Sequence, residues 1–203
     1  MDIDQIWRHI DQGRLDFADL FESLTAEQLA APSLCEGWTV RDVGAHLTMA
    51  HARLRDVFWP LVRSGFSFNA MVRRAALEVT LTPAEISATL RSFVGSRRTA
   101  VGIRPTEPLI DILVHTQDVA IPLGMHVKTP GQAAIVAIER TFTLPGPMRF
   151  TRRYDHVTFE ATDVDWRRGT SSTVIRGPIQ ELLLLLTGRK AACTNLTGPL
   201  DLL

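Results

Sequence analysis

The chain has 203 residues, and 45% of them are hydrophobic, which is enough apolar material for a folded core. Its 22 basic and 22 acidic side chains cancel, so the sequence lacks the positive surface expected of a protein that binds nucleic acid or an anionic membrane. The longest aliphatic run, Leu182 to Leu186, is far shorter than the roughly 20 residues that span a bilayer. The polar N-terminus and the absence of paired cysteine motifs predict a cytoplasmic protein with reduced thiols.

The first part of the chain, residues 1–125, is predicted to be a helical domain. Thr39 followed by Asp42 is a capping-box pattern and predicts the start of the second helix, and Thr82 and Thr106 are predicted to cap two later ones. Four of the predicted helices are substantial, which is the content of a four-helix bundle. The helical periodicity covers residues 2–24, 39–60, 66–78, 83–99 and 107–121.

The remainder, residues 126–203, is predicted to be a smaller α+β domain. The sequence alternates towards the end of residues 149–161, and Thr173–Arg176 is rich in β-branched residues, so both segments are predicted strands. Helices are expected over 130–142 and over the leucine-rich segment 179–187.

The helix over residues 107–120 carries three polar side chains in an aliphatic background. Asp111, His115 and Asp118 follow each other at intervals of four and three residues, so they share one face of a helix that must be largely buried. A buried carboxylate needs a partner. Asp111 and His115 are expected either to pair with each other or with an arginine such as Arg104, or to bind one divalent metal ion together.

A third candidate ligand, His46, lies in the second helix beside the predicted buried stripe. Two histidines and one aspartate would provide three protein ligands and leave a coordination position open, which is the arrangement of catalytic zinc sites. The alternative is a core histidine that is satisfied by hydrogen bonds. His51 is expected to face away from the stripe, and Trp38 either lines a pocket or packs the preceding loop against the bundle.

Three segments resemble the mycothiol-dependent maleylpyruvate isomerase family, which belongs to the DinB-like metal-binding helical bundles. They are PSLCEGWTVRDVGAHL (32–47), PLIDILVHTQDVAIPLG (108–124) and FEATDVDWRRGTSSTVIRGPIQELLLLLTGR (159–189). The resemblance implies a DinB-like four-helix bundle followed by a C-terminal α+β domain. It also implies a divalent metal ion, usually zinc, held by His46, Asp111 and His115. The acidic ligand of the characterised isomerase is a glutamate, and Asp111 is one methylene shorter.

The function implied by the resemblance is isomerisation or S-transfer on an electrophilic small molecule, with mycothiol or a similar thiol as cosubstrate. Asp118 is expected to orient a metal ligand, and Arg176 and Arg189 are candidates to bind a carboxylate of the substrate. Cys35 is interpreted as a packing residue. The alternatives are a non-catalytic module that binds or senses a metal or small ligand, and a purely structural bundle. A homodimer is compatible with the sequence, which does not determine the oligomeric state.

Overall fold

The computed structural model describes residues 1–51, 68–99, 103–144 and 150–202. The chain is mainly helical with a smaller α+β part near its C-terminus, as the sequence predicted, and the sheet in that part has three strands. It divides into two compact units. One contains Asp2–His126, and the other contains Val127–Leu203 together with Met1.

The N-terminal unit is built from helices. Helix α1 packs against α5 and α6, and α3 packs against α2, α4, α5 and α6, so four of the described helices surround α3. A 3-10 helix, Thr48–His51, continues directly from α3. The helices are α1 Ile3–Glu22, α2 Ala26–Ala30, α3 Val40–Leu47, α4 Phe68–Glu78, α5 Pro83–Ser92 and α6 Thr106–Ala120.

The core of this unit requires a glycine where α3 approaches α1. A β-carbon added at Gly44 would lie 2.5 Å from the ring of Phe21 and 3.3 Å from a methyl group of Ile86. Phe21 and Ile86 are both fully buried, so neither side chain has free space to move away. The missing side chain at Gly44 therefore sets the distance at which α3 packs, and with it the position of the rest of that helix.

Several predicted helix ends differ from those of the structure. Helix α5 ends at Ser92 and not near residue 99, because the chain turns through Gly95 at a φ of 77°. The predicted cap at Thr106 is wrong, since Thr106 lies inside α6 and its hydroxyl donates to Glu107. The second helix is an α-helix only as far as Leu47, and its predicted extension to Pro60 lies outside the described residues.

The C-terminal unit combines two helices with the sheet. Strand β1 lies in the middle, antiparallel to β2 and parallel to β3, and α8 packs against α7, β1 and β3. All five leucines of α8 are buried, which explains its continuous aliphatic run. The elements are α7 Gly131–Thr143, a 3-10 helix Phe150–Tyr154, β1 Thr158–Ala161, β2 Arg167–Arg168, β3 Val174–Gly177 and α8 Ile179–Leu186.

Strand β2 was not predicted from the sequence. Arg168 pairs with Phe159 of β1, and its guanidinium stacks 4.3 Å from the ring centroid of Phe142 while contacting Glu139. A two-residue strand has no periodicity to detect, which explains the omission. Within the part of the chain that the structure describes, every helix is too short or too polar to cross a bilayer.

Candidate metal centre

The candidate site is carried by α3, α6 and the loop that precedes α3. Thr39 caps α3: its hydroxyl accepts a hydrogen bond from the backbone N–H of Asp42, and the Asp42 carboxylate accepts hydrogen bonds from the Thr39 backbone N–H at 2.9 Å and from its hydroxyl at 2.7 Å. The predicted capping box is therefore present and starts α3 at Val40. With this start, His46 falls in the last turn of the helix.

The loop before α3 is held in place by hydrogen bonds at both of its ends. The Ser33 hydroxyl donates to the Trp38 carbonyl at 3.0 Å and accepts from the Cys35 backbone N–H at 3.1 Å. The backbone N–H of Leu34 donates to the carbonyl of Asp118 at 3.1 Å, which ties the loop to α6. The turn passes through Gly37 at a φ of 73°, where a β-carbon would also collide with the guanidinium of Arg73.

The structure brings together the three side chains selected from the sequence. One donor atom each from His46, Asp111 and His115 lies within 4.8 Å of the other two. The imidazole centroids of His46 and His115 are 4.8 Å apart and nearly perpendicular, at 76°. His115 is buried, whereas Asp111 is accessible to solvent. Two imidazoles and one carboxylate at this spacing fit a divalent metal ion of the zinc type.

Trp38 covers the two histidines. Its ring centroid lies 5.3 Å from that of His46 and 6.4 Å from that of His115, and the residue is only 9% exposed. The indole therefore forms one wall of the candidate site as well as packing the loop. An apolar wall keeps bulk water away from the imidazoles and strengthens electrostatic interactions beside it.

The ring of His115 is held from its other side by Asp118 and Cys35. Nδ1 of His115 and Oδ2 of Asp118 are 2.7 Å apart, and the Cys35 thiol donates to the same oxygen at 3.1 Å. Nδ1 and Sγ are 3.8 Å apart, and Asp118 is completely buried. His115 is thus paired with Asp118, a partner that the sequence analysis did not propose for it. Cys35, interpreted from the sequence as a packing residue, thus also donates a hydrogen bond to a buried carboxylate.

These contacts determine the charge and orientation of His115. Burial acts to lower its pKa, but the hydrogen bonds to Asp118 and Cys35, together with the Asp118 charge, outweigh burial and raise the pKa to about 10. Because Nδ1 faces Asp118, Nε2 is the ring atom available to a cation shared with His46 and Asp111. Orientation of a histidine ligand by a buried carboxylate is a recurrent feature of metal sites in proteins.

The other residues selected from the sequence lie elsewhere. In the C-terminal unit, Nε of Arg176 donates to Glu160 at 3.2 Å, and Arg189 donates to the carbonyl of Thr187 at 2.6 Å. His51 is half-buried, and its ring lies against that of the half-buried Phe93 with centroids 3.9 Å apart. His51 belongs to none of the candidate metal-binding groups found among the described residues.

The fold and the site define a helical bundle that carries a His–Asp–His group in its core and is followed by an α+β unit. Residues 10–110 match the family model described as the mycothiol maleylpyruvate isomerase N-terminal domain. This segment includes the loop and the first candidate ligand and ends one residue before Asp111. Over these residues the N-terminal unit belongs to the mycothiol maleylpyruvate isomerase N-terminal domain family, which confirms the resemblance seen in the sequence.

Solved structures of low sequence identity share this fold. The crystal structure of the mycothiol-dependent maleylpyruvate isomerase superimposes with a TM-score of 0.60 at 15% identity, over 98% of this chain and 93% of that chain. A mutant of that enzyme gives a TM-score of 0.61 at 14% identity with the same coverage. Two uncharacterized proteins of Mycobacterium tuberculosis, from strains CDC 1551 and H37Rv, are each 26% identical over 139 residues, which is 64% of this chain and 74% of theirs.

Proposed function

We propose that this protein is an enzyme that acts on an electrophilic small molecule with mycothiol, or a similar small thiol, as cosubstrate. It either isomerises this molecule or attaches the thiol to it through sulfur (S-transfer). A divalent cation, with zinc as the first choice, is held by His46, Asp111 and His115. The observation that carries the proposal is the convergence of these three side chains at metal-ligand spacing within the family's bundle. The enzyme would act in the reducing cytoplasm, where small thiols are kept reduced.

The ligand charges favour an anionic sulfur at the open position. The two imidazoles are neutral when they bind a cation and Asp111 carries one negative charge, so the group with a divalent cation keeps one positive charge. Such a cation lowers the pKa of a bound thiol and makes it a nucleophile at neutral pH. Asp111 is the most exposed of the three ligands, which supports an entry for thiol and substrate on its side of the group.

The protein's own groups prepare the site by orientation and by exclusion of water. Asp118 fixes the His115 ring through Nδ1, and Trp38 shields both imidazoles. In an isomerase the thiolate would add to one carbon of a cis double bond, and the π electron pair would move onto the electron-withdrawing group of the electrophile. After rotation about the resulting single bond, that electron pair would re-form the double bond and expel the thiolate. In a transferase the new carbon–sulfur bond would remain, and the adduct would take up a proton from solvent. A role for Arg176 or Arg189 in binding a substrate carboxylate stays a prediction.

The role of Asp118 is tested by Asp118→Asn, which keeps the shape of the side chain and removes its charge. Loss of a carboxylate that orients a histidine ligand reduces metal affinity by about 10- to 100-fold. We therefore expect chelator competition to show a weakening of this size. Glu139→Gln, a carboxylate of the C-terminal unit, is the matched control and should leave metal affinity unchanged. Equal affinities for wild type and Asp118→Asn would contradict the positioning role.

The proposed function is tested by elemental analysis and turnover on the same preparations. We expect about one divalent metal ion per chain in wild type and in His156→Ala, an exposed control, and a loss of most of it in His46→Ala. With thiol and a panel of electrophiles, the metal-loaded wild type should consume substrate and His46→Ala should not. A wild-type protein without stoichiometric metal would overturn the metal assignment. Binding of thiol without consumption of any electrophile would favour a sensor.

A further inference from the structure

A second group of ligand-type side chains lies on the opposite edge of the His115 ring. Cys35, His115 and Asp118 each place one donor atom within 4.8 Å of the other two. The individual separations are 3.1 Å from Sγ to Oδ2, 2.7 Å from Nδ1 to Oδ2, and 3.8 Å from Sγ to Nδ1. This group uses Nδ1 of His115, whereas the group proposed above uses Nε2.

We propose that Cys35, His115 and Asp118 form a second cation site, selective for strongly thiophilic divalent cations such as cadmium. A thiolate ligand favours these ions over magnesium, calcium and manganese, which prefer oxygen. A thiolate, a carboxylate and a neutral imidazole together carry two negative charges and balance a divalent cation. A site with no net charge suits this position, because Asp118 is completely buried and His115 is 9% exposed.

The distances require only a small adjustment. Around a tetrahedral zinc-type cation, sulfur, nitrogen and oxygen ligands lie about 3.4 to 3.6 Å apart, given the usual bond lengths. The Sγ–Nδ1 separation is already of that order, and Oδ2 must move by roughly half an ångström. Binding releases two protons to solvent, one from the thiol and one from Nδ1, and breaks the two hydrogen bonds to Oδ2.

The two groups compete for one ring. A cation on Nε2 leaves the proton on Nδ1, where Asp118 holds it, while a cation on Nδ1 removes that proton and withdraws the carboxylate. A thiophilic cation bound to Cys35 and Nδ1 therefore removes the hydrogen bond by which Asp118 orients His115 for the first group. The Cys35 backbone N–H donates to the Ser33 hydroxyl at 3.1 Å and its carbonyl accepts from the Trp38 N–H at 3.0 Å, so the backbone is fixed on both sides of Cys35 and the thiol stays beside the ring in either state.

The test is a cadmium titration of the metal-free full-length protein, followed through the ultraviolet thiolate-to-cadmium charge-transfer band. We expect the band to saturate near one equivalent in wild type, in Cys193→Ala and in His46→Ala, and to vanish in Cys35→Ser. Retention of the band in His46→Ala would show that this site does not need the first group. The site at Cys35 can therefore be confirmed even if His46, Asp111 and His115 turn out to bind no metal. A wild-type band that is absent, or that disappears in Cys193→Ala, would overturn the proposal.

A second measurement does not depend on the folding of Cys35→Ser. In Cys193→Ala, Cys35 is the remaining thiol. One equivalent of cadmium should slow its alkylation by at least tenfold, whereas magnesium should have no effect. An alkylation rate that is unchanged by cadmium would equally overturn the site.

Discussion

At the scale of single residues, two basic side chains, the buried Arg14 and the half-buried His51, lie beside one aromatic ring. Arg14 is 3% exposed, donates to the carbonyl of Phe93 at 2.9 Å, and places its guanidinium 5.6 Å from the ring centroid of Phe93. His51 stacks on the same ring. Burial first, and then the positive charges of Arg14 and Arg98, lower the pKa of His51 below its ordinary value of 6.5.

This lowered pKa predicts a specific loss of stability in acid. The unfolded chain takes up a proton on His51 near pH 6.5, and the folded protein does so only at lower pH. The contribution of His51 to stability is thus present above pH 6.5 and is lost as the pH falls below it. In His51→Phe, the free energy of unfolding measured by urea should fall less between pH 7.5 and about 5.5 than in wild type.

The control for this experiment is His156→Phe, since His156 is an exposed histidine of the C-terminal unit. It should keep the acid sensitivity of wild type. If His51→Phe and wild type lost the same free energy of unfolding over this interval, His51 would not be the group responsible.

The sequence was sufficient to select His46, Asp111 and His115, because helix periodicity places residues four apart on one face and marks the buried stripe. It did not predict that Cys35 contacts Asp118. That contact depends on a loop whose path is set by Ser33 hydrogen bonds and by a left-handed glycine, and such features have no period to detect. Only the cysteine's position just ahead of the capped helix hinted at a chemical role.

At the scale of secondary structure elements, two capping boxes of the same chemistry occupy different environments. Thr39 and Asp42 start α3, which is only eight residues long and carries His46 in its last turn. Thr82 and Glu85 start α5 with the same pattern of hydrogen bonds, but in an exposed position. Comparison of the two capping boxes therefore separates the stabilising effect that any N-cap has on the fold from a specific effect on the candidate metal site.

We expect Thr39→Ala and Thr82→Ala each to lower the free energy of unfolding by about 1 kcal/mol, the usual cost of losing an N-cap. Only Thr39→Ala should also weaken metal binding, because a short helix without its cap frays towards His46. Chemical denaturation and chelator competition measure the two effects. Equal metal affinity in both variants would show that α3 holds His46 without help from its cap.

The elements themselves were predicted unevenly, for physical reasons. The capping boxes of α3 and α5 are local patterns, and both were found at the expected residues. The end of α5 and the start of α6 were missed: Gly95 ends the helical path early, and α6 begins after Pro105 without a side-chain cap. Strand β2 exists because β1 offers it hydrogen bonds, and its own two residues carry no strand signal.

At the scale of the whole molecule, the two candidate metal-binding groups both lie in one of the two compact units. All residues of both ligand groups, together with Trp38, lie in the unit Asp2–His126. The hydrogen bonds described for them come from the same unit. The sequence predicted a helical domain over residues 1–125, and we propose that this unit folds independently and holds the metal by itself.

A fragment of residues 1–126 tests this proposal. The unit buries its own core, including Phe17, Phe21 and Leu109, so the fragment should unfold cooperatively in urea. Its m-value should be roughly three fifths of that for unfolding the whole chain, since m scales with the surface exposed. It should bind one divalent metal ion and lose it on His46→Ala, as the full chain should. A fragment that is unfolded, or that is folded but binds no metal while the full chain does, would mean that residues 127–203 are needed to build the site.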